Sequence, residues 1–192
     1  MMKEIIRLTV VLTCVCMVAG ISLSYVNAAT KEARAYQDRL ELLNALNMVL
    51  PDHDNEADKD IVEVSGITYY LSKKEGAING VAFKSSSEKG YSGLIEIIAG
   101  VMPDGTIKAI GILSQKETPG LGSKIDEDWF KDQYAGKTLD GAKWGVKKDN
   151  GDFEQISGAT ISPRAVTAAV KDGLTNYAQN KKEIFGGSDV IQ

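Results

Sequence analysis

Between Arg7 and Lys31 the chain carries no charged residue. The run "LTVVLTCVCMVAGISLSYV", Leu8 to Val26, constrains the fold more than any other feature. At helical rise, about 20 apolar residues cross the hydrocarbon core of a bilayer, so this run is long enough to span one. A cleaved signal peptide is the competing reading, with Lys3 and Arg7 as its charged start and "VNA" before Ala29 as its cleavage site. The run exceeds the roughly 7–15 residues of a signal core, which favours a retained anchor. Cys14 in "VLTC" is a poor lipidation site, because Thr13 is not a small residue. Lys3 and Arg7 on one side face Lys31, Arg34 and Arg39 on the other, so the positive-inside rule is nearly balanced. The very short N-terminal tail makes insertion with the N-terminus inside the easier course. That puts the rest of the chain outside the cytoplasm.

Beyond the anchor the chain has the composition of a soluble domain. The two cysteines, Cys14 and Cys16, both lie in the apolar run, so the rest of the chain cannot build a thiolate zinc site, an iron–sulfur site or an internal disulfide by itself. The one histidine, His53, sits in the polar "LPDHDNEAD" and reads as an ordinary loop residue. No metal site is expected. A formal net charge of −4 argues against a nucleic-acid surface, which shows as a basic excess.

Three segments are expected: an anchor helix over residues 1–29, a helix and polar linker over 30–59, and a domain over 60–192. "TKEARAYQDRLELLNALNMVL" has apolar residues at helical spacing and is stopped by Pro51. Strands are expected at "GITYYLS", "INGVAFK", "GYSGLIEIIAGVM" and "IKAIGILS". Asp104-Gly105 between the last two is a hairpin signal. "SKIDEDWFKDQY" reads as a short helix capped by Ser123, with Trp129 and Phe130 as core contacts. A final helix runs from about Pro163 to Lys182, with Ser162 as N-cap and Pro163 as its first residue. Ala165, Val166, Ala169, Val170, Leu174 and Tyr177 fall on one face of it. The fold class is α+β: an N-terminal transmembrane helix, then a mostly antiparallel twisted sheet with flanking helices.

Two stretches can carry chemistry. "SGAT", Ser157, Gly158, Ala159 and Thr160, precedes a helix start, where free N–H groups suit a phosphate and small residues allow close approach. "ETPGLG", Glu117, Thr118, Pro119, Gly120, Leu121 and Gly122, lets backbone lie flat against a ligand. Each alone also reads as a plain turn. No nucleotide P-loop or dinucleotide fingerprint is present.

As an ordered set, "GYSGLIEIIAGVMPDGTIKAIGIL", "ETPGLG", Trp129-Phe130, "YAGK", "SGAT" and "ATISPRAV" resembles the FMN-binding domain of the Rnf complex G subunit. The related C subunit of the sodium-pumping NADH:quinone reductase is similar, but "TISPRAV" and the compact length favour the Rnf member. The resemblance implies FMN joined by a phosphoester to Thr160, placed there by a flavin transferase acting on the outer face of the membrane. The family's recognition pattern has Asp three residues before the Ser/Thr, where this chain has Glu154. The resemblance also implies that "ETPGLG" faces the flavin ring, with Thr118 and Leu121 as contacts and Gly120 and Gly122 as backbone enablers. It implies an electron-carrying subunit, not catalytic alone, of a complex that couples electron flow between ferredoxin and NAD to sodium or proton transport. Its partners would be the complex's other subunits, the transferase and the membrane. Two rival readings remain open: a covalent-flavin domain, secreted or anchored, serving another reductase, and a non-redox anchored interaction module in which "SGAT" only caps a helix.

Overall fold

The computed structural model describes residues 2–186, so the end of the third expected segment, residues 187–192, lies outside the described residues. The chain divides into two compact units, Met1–Glu41 and Leu42–Gln192. The first helix, α1, runs Met2–Val49 and crosses that division. The anchor and the helix expected after it are thus one element, because no glycine pair or proline interrupts the chain before Pro51.

Between Arg7 and Lys31 α1 carries no charge and is apolar over most of its circumference. Leu8, Val18, Ile21 and Leu23 are 67, 65, 71 and 71 % exposed. The helix is long and apolar enough to cross a membrane. Its hydroxyls are compatible with that setting: Thr9 and Thr13 donate to the carbonyls of Ile5 and Thr9, four residues back, at 2.9 and 2.8 Å.

The second unit is built on a five-stranded antiparallel meander, β1 (Ile61–Val64), β2 (Ile67–Lys74), β3 (Ala77–Gly90), β4 (Gly93–Val101) and β5 (Ile107–Ser114), in sequence order. Ser65-Gly66 and Glu75-Gly76 join the first three strands with positive φ at both residues, the two-residue hairpin turn that matches strand twist. Asp104-Gly105 turns β4 into β5 as expected, with Gly105 at φ +97° and its N–H on Met102 O at 2.8 Å. The short strand β1 is an addition to the expected elements, and β3 is longer than "INGVAFK". It continues through the polar "SSSEKG" because Ser85 turns inward and donates to Ala169 O at 2.8 Å.

The pleat sends alternate residues to opposite faces. Tyr69, Leu71, Val81, Phe83, Ile97, Ala99 and Val101 enter one apolar cluster, while Tyr70, Ala82 and Ile98 enter a second with Leu46 and Val49 from the end of α1 and Leu50 just after it. The last helix, α3 (Ile161–Gly186), covers the first face with the side expected from the sequence: Ala165, Val166, Ala169, Val170, Leu174 and Tyr177 are all buried. Gly173 permits the close approach, since a Cβ there would lie 2.3 Å from Phe83 Cε2.

Between β5 and α3 the expected single helix is broken into three pieces. A 3-10 helix covers Gly122–Asp126, α2 covers Asp128–Lys131, and a second 3-10 turn covers Asp132–Tyr134. Ser123 is not a helix cap; it sits inside the first piece, and its hydroxyl accepts the Gly120 N–H at 2.9 Å. Phe130 is buried, but Trp129 is 47 % exposed, and its indole N–H donates to Glu127 Oε2 at 2.5 Å. The consecutive acidic residues Asp126, Glu127 and Asp128 keep this segment at the surface, so only the inward ring reaches the core.

Candidate functional site

Two turns of the same kind build the site. In Thr118-Pro119-Gly120-Leu121 the Leu121 N–H bonds back to Thr118 O at 3.1 Å, and Gly120 has φ +75°. In Ile156-Ser157-Gly158-Ala159 the Ala159 N–H bonds back to Ile156 O at 3.0 Å, and Gly158 has φ +78°. A hydrogen bond from the first carbonyl to the fourth N–H, with positive φ at the third residue, is the type II pattern, and Pro119 stands at its favoured second position. The turns face one another: a Cβ on Gly158 would lie 3.6 Å from Leu121 Cδ2.

Between them lies a cavity of about 310 Å³ lined by Tyr91, Glu117, Thr118, Leu121, Gly122, Gly158, Ala159, Thr160, Ile161 and Ser162. Seven of the residues singled out in the sequence meet there. Pro119, Gly120 and Ser157 do not line it; they shape the turns behind. Tyr91, 69 % exposed, and Ile161, 44 % exposed, join Leu121 as apolar walls that the sequence reading did not include. Their signal was weak, because an aromatic or aliphatic residue beside a turn points as readily to solvent as to a ligand.

The helix start differs from the expected one. Arg164 N–H bonds to Thr160 O at 3.3 Å, so Thr160 occupies the N-cap and Ile161 the first helical position. Ser162 is not the cap. It lies in the first turn, 1 % exposed, and its hydroxyl donates to Glu117 Oε2 at 2.5 Å. Pro163 is correspondingly third in the helix, where a missing N–H still costs nothing. Thr160 is half-buried, and among the described residues its hydroxyl has no hydrogen-bond partner. An N-cap threonine usually spends that oxygen on the backbone. Here it is left for the cavity.

The first turn of α3 is held from beneath. The Thr167 hydroxyl donates to Pro163 O at 2.8 Å, which leaves it to accept from the Tyr134 hydroxyl at 2.8 Å. Burial pushes the Tyr134 phenol above its ordinary range, with the Thr167 bond opposing. Tyr134 in turn stacks on Phe153, with ring centroids 4.6 Å apart. From outside, Arg164 forks onto Asp149 with contacts of 2.6 and 2.7 Å. That bond holds the Asp149 carboxyl below the usual carboxylate range. Glu154 does not reach the cavity lining; its carboxylate pairs with Lys147 and its N–H donates to Gln133 Oε1 at 2.6 Å.

A free hydroxyl at a helix N-terminus, small neighbours and an apolar-walled cavity suit a phosphorylated aromatic ligand. The first turn of α3 itself contains no acidic residue, and the carboxylate that reaches it, Glu117, is bonded to the Ser162 hydroxyl. The N–H groups of Ile161 and Ser162 have no acceptor within the helix. The cavity volume sits at the low end of the roughly 300–1,000 Å³ of small-ligand sites, which fits a ring system seated in a partly open mouth.

Residues 90–175 match the family described as FMN-binding domain, and this span contains both turns. The chain is 41 % identical over 174 residues to the G subunit of the ion-translocating oxidoreductase complex of Aliivibrio fischeri, covering 82 % of each chain. The chain belongs to the G-subunit family of ion-translocating oxidoreductase complexes. The G subunit of the same complex from Cereibacter sphaeroides is 36 % identical over 182 residues, covering 88 % of this chain and 82 % of the relative. Among solved structures, NqrC of Shewanella oneidensis superposes with a TM-score of 0.53 at 22 % identity, covering 62 % of this chain and 61 % of that one. The C subunit of the Na+-translocating NADH-quinone reductase of Parabacteroides distasonis gives 0.51 at 23 % identity, over 60 % of this chain and 62 % of that one. The solved chains share the fold of this G-subunit domain, an antiparallel sheet with helices on it.

Proposed function

We propose that this G subunit is a membrane-anchored electron carrier with FMN held as a phosphoester on Thr160. The observation that carries the reading is the unspent Thr160 hydroxyl at the start of α3, facing the cavity it shares with the "ETPGLG" turn. Of the other hydroxyls nearby, Ser162 is engaged by Glu117 and Ser157 lies off the cavity lining. Thr118 lines the cavity but stands at no helix end, so nothing there would hold a phosphate.

In maturation, a flavin transferase outside the cytoplasm would join the Thr160 oxygen to the FMN phosphorus of FAD and release AMP. Once bound, the flavin supplies the redox chemistry. The chain's own residues do the rest. The helix N-terminus holds the phosphate, Leu121, Ile161 and Tyr91 wall the ring, and α1 keeps the domain at the membrane beside the complex's other subunits. The complex would couple electron flow between ferredoxin and NAD to sodium or proton movement. Within α1 no carboxylate lies between Arg7 and Lys31, so the chain is not expected to line the ion path.

Peptide mapping tests the reading. The full chain is co-expressed with a flavin transferase, isolated from membranes and digested. FMN is expected on the peptide containing Thr160, and nowhere in Thr160→Ala, while Thr118→Ala, Ser157→Ala and Ser162→Ala keep it. A fluorescent band from Thr160→Ala in a denaturing gel would overturn the assignment. A soluble form starting at Ala29 would overturn the anchor.

A further inference from the structure

Among the residues lining the cavity, Glu117 is the one with a carboxylate, and no lysine or arginine accompanies it. It is 5 % exposed. Its Oε1 accepts the Ser92 N–H at 3.0 Å and its Oε2 accepts the Ser162 hydroxyl at 2.5 Å. No ion pair among the described residues includes it. The arrangement is a buried carboxyl group whose oxygens meet only neutral donors, a placement proteins rarely keep without a use.

Side chains on either side would crowd it. A Cβ at Gly90 would lie 2.8 Å from Glu117 Oε1, and a Cβ at Gly122 would lie 2.6 Å from Glu117 Oε2. Gly122 leaves room for the carboxyl group and its Ser162 partner, while Gly90 is required first by Gly93 O, 2.3 Å from such a Cβ, and leaves room for Glu117 as well. Its two bonds tie the β3–β4 turn and the start of α3 to the "ETPGLG" loop. Such a tie does not need a charge. A glutamine of the same shape could accept the Ser92 N–H on its oxygen and donate its amide to Ser162 Oγ, because a serine hydroxyl can reverse its role. Geometry therefore accounts for a residue of this length, and leaves the charge unaccounted for.

We propose that the Glu117 charge lowers the reduction potential of the flavin seated in this cavity. The proposal rests on the reading of the cavity as the flavin site. Adding an electron beside a fixed negative charge is opposed by Coulomb repulsion, and the repulsion is strong where the charge is buried and water is excluded. Being buried, the charge is also little screened by salt. A carrier passing electrons at low potential gains from such a charge, because the reduced flavin becomes a stronger donor without any change in its attachment.

The test uses the full chain, flavinylated in membranes and purified in detergent. The midpoint potential is titrated for wild type, Glu117→Gln, Ser162→Ala and the exposed control Glu96→Gln at low and high salt. Glu117→Gln is expected to carry flavin and to shift the potential upward, by the same amount at both salt concentrations. Ser162→Ala removes a donor that partly neutralises the carboxylate, so it is expected to shift the potential downward. Glu96→Gln should move it little, and less at high salt. In the unloaded Thr160→Ala background, Glu117→Gln should melt close to its parent, because both hydrogen bonds are replaced. A flavinylated Glu117→Gln with the wild-type potential overturns the proposal. If Glu117→Gln fails to accumulate, an unchanged or upward-shifted Ser162→Ala overturns it instead. Wild type without covalent flavin removes the underlying reading and this proposal with it, and a wild-type intact mass equal to that of the unmodified chain identifies that case.

Discussion

The two turns that face each other across the cavity share a backbone and differ in what they deliver. Both place a glycine at positive φ in third position, Gly120 at +75° and Gly158 at +78°. The first is followed by a 3-10 helix of five residues and brings a buried carboxylate, Glu117. The second is followed by the 26 residues of α3 and brings an unspent hydroxyl, Thr160. Only the second therefore has a long aligned run of peptide dipoles behind it, and only it is suited to hold an anion. The same local conformation gives a charge-bearing wall on one side and an attachment point on the other. The difference lies in what each turn leads into.

The largest effect should come from breaking the attachment side. Thr160→Ala is expected to abolish covalent flavin while leaving the fold intact, because its hydroxyl bonds to no described residue. Denaturing-gel fluorescence and a thermal melt of the same preparation read both halves of that expectation. Thr118→Ala, on the facing turn, should retain the flavin, and its loss there would erase the distinction between the two turns.

Next in size is Gly122→Val, on the wall side. The new side chain would start 2.6 Å from both Glu117 Oε2 and Ser162 Oγ, so the bond between them must part. Leaving a buried neutral group short of a partner costs about 1–3 kcal/mol and a carboxylate more, and the displaced side chains add to it. Urea unfolding should show the loss even without flavin. A wild-type midpoint would mean that the buried contact contributes nothing to stability.

Gly120→Ala and Gly158→Ala probe the shared backbone. An L side chain in the left-handed region costs about 1–2 kcal/mol. The two losses should be alike, since nothing lies within 4 Å of a Cβ at Gly120 and only an ordinary 3.6 Å contact meets one at Gly158. The functional readout should differ. Gly158→Ala narrows the approach to Thr160 and is expected to slow flavinylation, whereas Gly120→Ala should leave the extent of attachment unchanged. Equal flavin occupancy at short induction times would contradict this.

The smallest effect serves as a control far from either turn in sequence. Asp60 accepts bonds from Asn55 Nδ2 and from Lys73 Nζ, the latter at 3.1 Å, and these hold its carboxyl below the ordinary value of 3.8. A carboxyl depressed on folding contributes stability above its unfolded pKa, and that stability is lost as pH falls through the lower folded value. Asp60→Asn should therefore lower the urea midpoint at pH 7. The gap to wild type should close as the solution is taken below the unfolded value of 3.8. Its flavin content should not change.

Much of this protein was legible from short-range pattern. The uncharged run after Arg7, the stop at Pro51, the Asp104-Gly105 hairpin and the buried face of α3 all rest on spacing or on a local backbone preference, and each stands in the structure. The pairing of "ETPGLG" with "SGAT" was legible only through resemblance. Neither turn announces the other, because they lie some forty residues apart in the chain and meet through the packing of β5, α2 and α3. Elements failed to show where a polar side chain was used inside the fold. The polar end of β3 looked like loop because the Ser85 bond to Ala169 O spans 84 positions. Trp129 was expected in the core, yet it stays half-exposed with its indole N–H on the exposed Glu127.

The sequence by itself determined which residues could form helices, strands and turns, because those preferences depend on neighbours a few positions away. It also put a threonine before a helix start. Only the tertiary structure decided which hydroxyl would be spent. Ser162 reads as the better cap, but its hydroxyl is buried and turned to Glu117, 45 positions earlier, to which it donates. The helix starts at Ile161, with Thr160 as the cap residue and its oxygen free beside the cavity. A buried carboxylate must collect its hydrogen bonds from whatever donors the fold brings within reach, and that demand overrides the local preference for a cap.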